Sequence, residues 1–243
     1  MTARVFNSIQ RRQALLLAGA AALTTTLGSA AFAAAAKPKI GTIGAGNIGK
    51  ALGTALVKAG YQVKFSTRHP EELKDFVAGL GPNASAGTVE QAIAFGDVVM
   101  IMVPYSSMPQ VAKDYGKALA TKALVMDVSN PRPDRDGPIA NEVQAKGAGL
   151  WLAGMMPGAR IVRAFNAVGA GSVAAYGQKH VAVPIAGDDQ NALKIASDMA
   201  RDIGFDPVVV GDLKVAGKLI PYGTKLGGEY TAAEMRDLVA SMK

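Results

Sequence analysis

From Lys39 onward, short apolar runs alternate with stretches whose apolar residues recur at helical spacing. That alternation is the pattern of an α/β protein with a mainly parallel sheet covered by helices on both faces. Eight runs read as strands: 39–43, 62–66, a short one near Ser85, 98–103, 123–127, 161–164, 181–186 and 207–210. The run Val98-Val99-Met100-Ile101-Met102-Val103 is continuously apolar, as central strands buried on both faces require. Helical periodicity fills the gaps at 48–59, 88–95, 108–119 and 191–203, and an amphipathic helix closes the chain at 231–242. The segment Asn130-Pro131-Arg132-Pro133-Asp134 directly follows a strand, so it reads as a loop facing an active site rather than as a domain boundary. No internal repeat or low-complexity linker follows residue 38. The expectation is one domain over 38–243, with its core at 38–212 and a short helical extension at 213–243.

The first 33 residues do not fit this pattern. Arg11-Arg12 precede an apolar run from Ala14 to Leu27 and then Ala31-Phe32-Ala33. A positive start, a moderately apolar centre and small residues before a cut after Ala33 read as a twin-arginine (Tat) signal peptide over 1–33, hence periplasmic export; a cytoplasmic protein with a non-functional leader is the alternative. The apolar run is shorter than the about 20 residues of a membrane span, so no stable membrane span is expected.

Composition narrows the chemistry further. The net charge of +7 includes three arginines of the leader; without them 23 basic residues face 19 acidic ones, a surplus of +4. That surplus suits an anionic small ligand and is too dispersed for nucleic acid. The chain has no cysteine and two histidines, which excludes disulfides, thiolate metal sites and an ordinary zinc site, so no metal ligands are assigned.

The most informative motif is Gly44-Ala45-Gly46-Asn47-Ile48-Gly49, a G-x-G-x-x-G between the first strand and the first helix. In that context the first glycine permits a tight turn, the second admits a pyrophosphate to the backbone, and the third lets the helix pack closely. The pyrophosphate would sit on unpaired N–H groups at the positive end of the helix dipole. This is the fingerprint of a Rossmann-type, doubly wound sheet. The second strand ends in Ser66-Thr67-Arg68-His69, with no carboxylate before Glu71. NAD enzymes usually hold the ribose 2′-hydroxyl with Asp or Glu there, whereas hydroxyls and a guanidinium accept a 2′-phosphate, so NADP(H) is preferred. His69 reads equally as an adenine-stacking residue or an exposed turn residue.

In such a sheet the ligand lies along the carboxyl ends of the strands. Val103 and Pro104 are placed to pack on the nicotinamide or its ribose, and Ser129, Asn130 and Asn166 to hydrogen-bond its carboxamide or the substrate. Asn130 and Asn166 read equally well as turn residues. No general acid or base stands out. Asp127 ends a strand and reads as structural at least as readily as catalytic. Tyr105 lacks a nearby lysine to activate it, and His180 precedes a strand at what should be the wrong edge. Catalytic residues therefore remain unassigned. Hydride transfer to a flavin-like acceptor needs chiefly alignment and water exclusion.

Ile43 to Gly49, Ser66-Thr67-Arg68, Val103-Pro104-Tyr105, Asp127-Val128-Ser129-Asn130-Pro131 and Arg163-Ala164-Phe165-Asn166 together resemble the NADP oxidoreductase family that includes coenzyme F420-dependent NADP reductases. They are also similar to the NADPH-binding domain of six-transmembrane ferric reductases. The resemblance covers about 39–212. It implies an NADPH-binding domain, with phosphate contacts at Thr67 and Arg68 and nicotinamide-side contacts at Val103, Asn130 and Asn166. It leaves the acceptor open among a flavin, a deazaflavin (F420) and a metal-linked acceptor.

Two alternatives stand beside an oxidoreductase of this kind. An NADP-binding sensor or scaffold without turnover also needs no acid–base pair. A 2-hydroxyacid or imine dehydrogenase shares the glycines but adds a helical domain of about 100 residues or more. Lys214, Lys218, Tyr222, Gly223, Lys225 and Gly227-Gly228 of the tail read either as closing over a substrate or as a solvated surface. Expected partners are a small-molecule redox substrate or electron acceptor and the Tat export machinery, with a homodimer left open and no nucleic acid.

Overall fold

The computed structural model describes residues 36–214 and 225–242. The expected leader at 1–33 and Lys218, Tyr222 and Gly223 lie outside the described residues. The eight strands are β1 (Ile40–Ile43), β2 (Val63–Ser66), β3 (Ala84–Gly87), β4 (Val98–Ile101), β5 (Leu124–Asp127), β6 (Ile161–Arg163), β7 (Ala182–Gly187) and β8 (Asp206–Gly211). They form one sheet in the order β3-β2-β1-β4-β5-β6-β7-β8. Each expected strand is present, within a residue or two at its ends.

The order reverses between β1 and β4, which creates the crevice where ligands of such sheets bind. Helix α1 (Asn47–Lys58) follows β1. Val98 and Met100 of β4 join Leu52 and Leu56 of α1 in one core, while Val99 and Ile101 face the opposite core. That second core is closed by helices at Val89–Phe95, Met108–Leu119, Pro138–Lys146 and Ala148–Met155. Two-sided burial explains why the strand is apolar throughout.

Every strand pairing is parallel except β6 with β7. This reversal corrects the reading of His180. Because β7 runs antiparallel to β6, its start lies on the edge where β6 ends, which is the ligand edge. His180 is nevertheless exposed there, and its Nδ1 lies 3.7 Å from Asp206 Oδ1.

The Pro-rich loop is also partly helical. Pro133 opens a short helix at Pro133–Asp136 and Pro138 opens the next. At a first helical position proline loses no helical hydrogen bond and its fixed φ suits the turn. Additional helices absent from the sequence reading lie at Lys74–Leu80, Ala148–Met155 and Val173–Gln178. The closing helix, Ala232–Ser241, begins with a capping box between Thr231 and Glu234. Its Met235 and Val239 pack with Leu226 on Ala182 and Ala186 of β7 and Val208 and Val210 of β8. This part of the tail completes a core. No helix among the described residues is long and apolar enough to cross a membrane.

Candidate functional site

The turn after β1 is built by two glycines that tolerate no side chain. Gly44 has φ +99°, and a Cβ there would lie 2.6 Å from the Met102 carbonyl oxygen. A Cβ on Gly49 would lie 2.6 Å from the Gly44 carbonyl oxygen, so the helix can approach the strand only without it. Gly46 differs: a Cβ there would meet nothing within 4 Å. The space over the start of α1 is open.

That start has no side-chain cap and no acidic residue in its first turn. Its N–H groups and dipole face the opening as an anion site for a 12-residue helix. Gly46 and Asn47 are exposed, Ala45 packs on the first core, and Ile48 reaches the neighbouring cavity.

At the end of β2 the three expected phosphate contacts separate. Ser66 is fully buried; its N–H donates to Thr42 Oγ1 at 3.1 Å and its hydroxyl to the Thr42 carbonyl. Ser66 therefore ties β2 to β1, a correction to its reading as a ligand contact. Thr67 is half-buried and Arg68 exposed, with no ion-pair partner for Arg68 among the described residues. His69 is exposed beside Glu71, 3.5 Å away.

The row Ile43, Ile101, Asp127 and Arg163 is in register across β1, β4, β5 and β6. Just beyond it opens a cavity of about 320 Å³. Ile48, Val103, Pro104, Ser129, Asn130 and Asn166 line it, so six of the expected residues meet in one place. Phe165, Arg132 and Arg135 also line it; Arg132 lies in the loop expected to face the site and Phe165 in the segment after β6 that carries Asn166, whereas the sequence reading gave Arg135 no role. Phe165 has φ +62°, a conformation costing a non-glycine residue about 1–3 kcal/mol. It sets the direction of Asn166 while its ring packs edge-on against Phe205.

The two asparagines are oriented by the backbone. Asn130 Nδ2 donates to the Asn166 carbonyl at 2.6 Å, and Asn166 Nδ2 donates to the carbonyls of Ser129 at 2.9 Å and Asp127 at 3.2 Å. These acceptors fix which end of each amide is nitrogen. Both Oδ1 atoms are buried without a hydrogen-bond partner. A buried orphan acceptor costs about 1–3 kcal/mol, and both of the residues that carry these atoms line the cavity.

Beneath the wall lies a buried cluster. Tyr105 donates to Asp127 Oδ2 at 2.6 Å, and Arg163 Nη1 donates to Tyr105 Oη at 2.7 Å and pairs with Asp127 Oδ2. Asp127 Oδ1 accepts the Ser129 N–H at 2.9 Å. Burial, with help from Asp127, pushes the Tyr105 hydroxyl well above its ordinary pKa. Asp127 is 0% exposed and is held by Tyr105, Arg163 and the Ser129 N–H, a structural set of partners rather than the setting of a general base. Among the described residues lining the cavity, the titratable side chains are Arg132 and Arg135. Buried Asp136 holds their loop. Its carboxyl would be raised by burial, but Arg135 and the N–H groups of Arg132 and Ser106 outweigh that and hold it below the ordinary value.

A sheet of this order, a glycine turn opening on a bare helix start and a polar-walled cavity beside it are the features of a Rossmann-like domain. Residues 39–131 match the model of the family described as NADP oxidoreductase, coenzyme F420-dependent. It is 33% identical over 186 residues to Metalloreductase STEAP3 of Rattus norvegicus, a match covering 74% of this chain and 35% of that protein. The chain thus spans about 35% of the length of the curated relatives it matches. Among solved structures, hypothetical protein SMa0349 from Sinorhizobium meliloti is 25% identical, with a TM-score of 0.67 over 80% of this chain and 93% of that one. A structure reported as an F420-dependent NADP reductase from Arthrobacter sp. FB24 has a TM-score of 0.65 at 22% identity, covering 74% of this chain and 88% of that one. The latter likeness concerns the fold.

Proposed function

We propose that this protein binds NADP(H) across the β1–β4 crevice and transfers hydride between its nicotinamide and a flavin-like, deazaflavin or metal-linked electron acceptor. The observation that carries the reading is the pair of orphaned oxygens, Asn130 Oδ1 and Asn166 Oδ1. A nicotinamide carboxamide brings an NH2 group able to donate two hydrogen bonds, which matches two fixed acceptors. The open space at Gly46 suits the pyrophosphate, and Thr67 and Arg68 suit a 2′-phosphate.

When bound there, NADPH would supply hydride, two electrons with a proton, from its reduced ring. Val103, Pro104 and Ile48 would shield the ring from water, and Asn130 and Asn166 would hold its carboxamide. Carbonyl or imine reduction would call for a proton donor at the reacting atom, and Arg132 and Arg135 are poor acids because arginine keeps its proton. This favours a conjugated acceptor over a 2-oxoacid or imine.

The test is to mix protein and NADPH with flavin, F420-type deazaflavin, ferric complexes, a 2-oxoacid and a cyclic imine, following nicotinamide absorbance. Oxidation by one of the first three is expected. Tight binding without oxidation by any acceptor supports the sensor reading instead, and turnover only with the last two supports a dehydrogenase. For the 2′-phosphate, Arg68→Ala is expected to weaken NADPH binding at least about tenfold while leaving NADH unchanged. An NADPH affinity within about threefold of wild type would remove Arg68 from the site.

A further inference from the structure

We propose that buried Arg163 is a positioning residue for the nicotinamide end of the site, acting through Ser129 and Asn166; this rests on the nicotinamide reading above. The cluster of Arg163, Asp127 and Tyr105 is sealed from solvent, with side-chain exposures of 1% for Arg163 and 0% for Asp127. Charged pairs so deeply buried are often no more stabilising than apolar side chains of the same volume, so this one calls for a role other than cohesion.

Its outward hydrogen bonds supply that role. Asp127 Oδ1 holds the Ser129 N–H at 2.9 Å, and Arg163 Nη2 reaches the Ser129 carbonyl at 3.4 Å. The same carbonyl accepts from Asn166 Nδ2 at 2.9 Å, and the Asn166 carbonyl accepts from Asn130 at 2.6 Å. Hydrogen bonds, joined through the covalent frame of Asn166, therefore link the guanidinium to the two amide groups that carry the orphaned oxygens. The guanidinium leaves its Nε without a partner while both Nη groups are engaged, so its placement favours these contacts over its own full satisfaction. Arg163 sits opposite Asp127 in the parallel register of β5 and β6, which makes the link a property of the sheet edge rather than of a loose loop.

The experiment compares binding of NADPH and of adenosine 2′,5′-bisphosphate, which lacks the nicotinamide half, to full-length wild type, Arg163→Lys and Tyr105→Phe. In Arg163→Lys the NADPH dissociation constant is expected to rise about tenfold, and in Tyr105→Phe about threefold, with the bisphosphate constant unchanged within about twofold. Tyr105→Phe preserves volume and removes one hydroxyl, so it carries the test if Arg163→Lys does not fold. Equal weakening of both ligands would mean general loosening, and native-like NADPH binding in the folded variants would mean no coupling; either result overturns the proposal. If wild type binds NADPH no more tightly than the bisphosphate, the nicotinamide reading itself fails and takes this inference with it.

Discussion

Replacing Asp127 with alanine is expected to destabilise the protein by about 3–5 kcal/mol, because it leaves the Arg163 charge buried without its counter-ion. At roughly 2–4 °C per kcal/mol for a chain of this size, the melting temperature should fall by about 10 °C or more. Lost hydrogen bonds act in the same direction, since Tyr105 and the Ser129 N–H both donate to this carboxylate. The attribution to charge is tested by the double variant Asp127→Leu with Arg163→Met. Removing both charges leaves no buried ion without its partner, so it should recover a large part of the lost stability. A single-variant loss below about 1 kcal/mol, or a double variant less stable than the single, would show that the pair is not the desolvated ion pair described.

That pair also shows how far a sequence reading reaches. The strands were legible because two-sided burial leaves continuous apolar runs. Their directions were not, since an apolar run such as 181–186 looks the same whichever way it lies, and β7 is the strand that reverses. Ala148–Met155 escaped notice for a related reason: it is apolar nearly all round, so it has no stripe to detect. Pro133 read as part of a loop, although at a first helical position it starts a helix.

Within the site, the glycine turn was legible because backbone geometry demands particular residue types at fixed spacing. Ser66 was placed correctly along the chain, but its direction depends on the pleat, which turned it onto Thr42. Arg163 lies 36 residues from Asp127, and their contact depends on strand register. A signal did exist: Leu-Val-Met-Asp and Ile-Val-Arg each end an apolar strand in a charge, and the charges are opposite. Two such strands side by side are expected to pair them, because either charge buried alone is costly. The orphaned amide oxygens of Asn130 and Asn166 could not be found this way, since satisfaction of a polar atom is a statement about every neighbour in space.

Gly46→Val is expected to weaken NADPH binding at least about a hundredfold, close to 2.7 kcal/mol, while costing the fold no more than about 1 kcal/mol. The asymmetry follows from the three glycines of the turn. At Gly44 a side chain would meet the Met102 carbonyl from a backbone at φ +99°, so substitution there harms folding and binding together. Gly46 has φ −72° and ψ −166°, an extended conformation open to any residue, and a Cβ there has no neighbour within 4 Å. The Cβ of a valine at 46 thus meets no neighbour, and its methyls extend into the space above the helix start. If that space receives the pyrophosphate, the side chain keeps the phosphates from the N–H groups on which they would rest. Titration of folded Gly46→Val with NADPH, alongside a thermal melt, separates the two effects. A dissociation constant within about threefold of wild type would mean that the nucleotide does not cross this turn, and the assignment of the crevice would have to be abandoned.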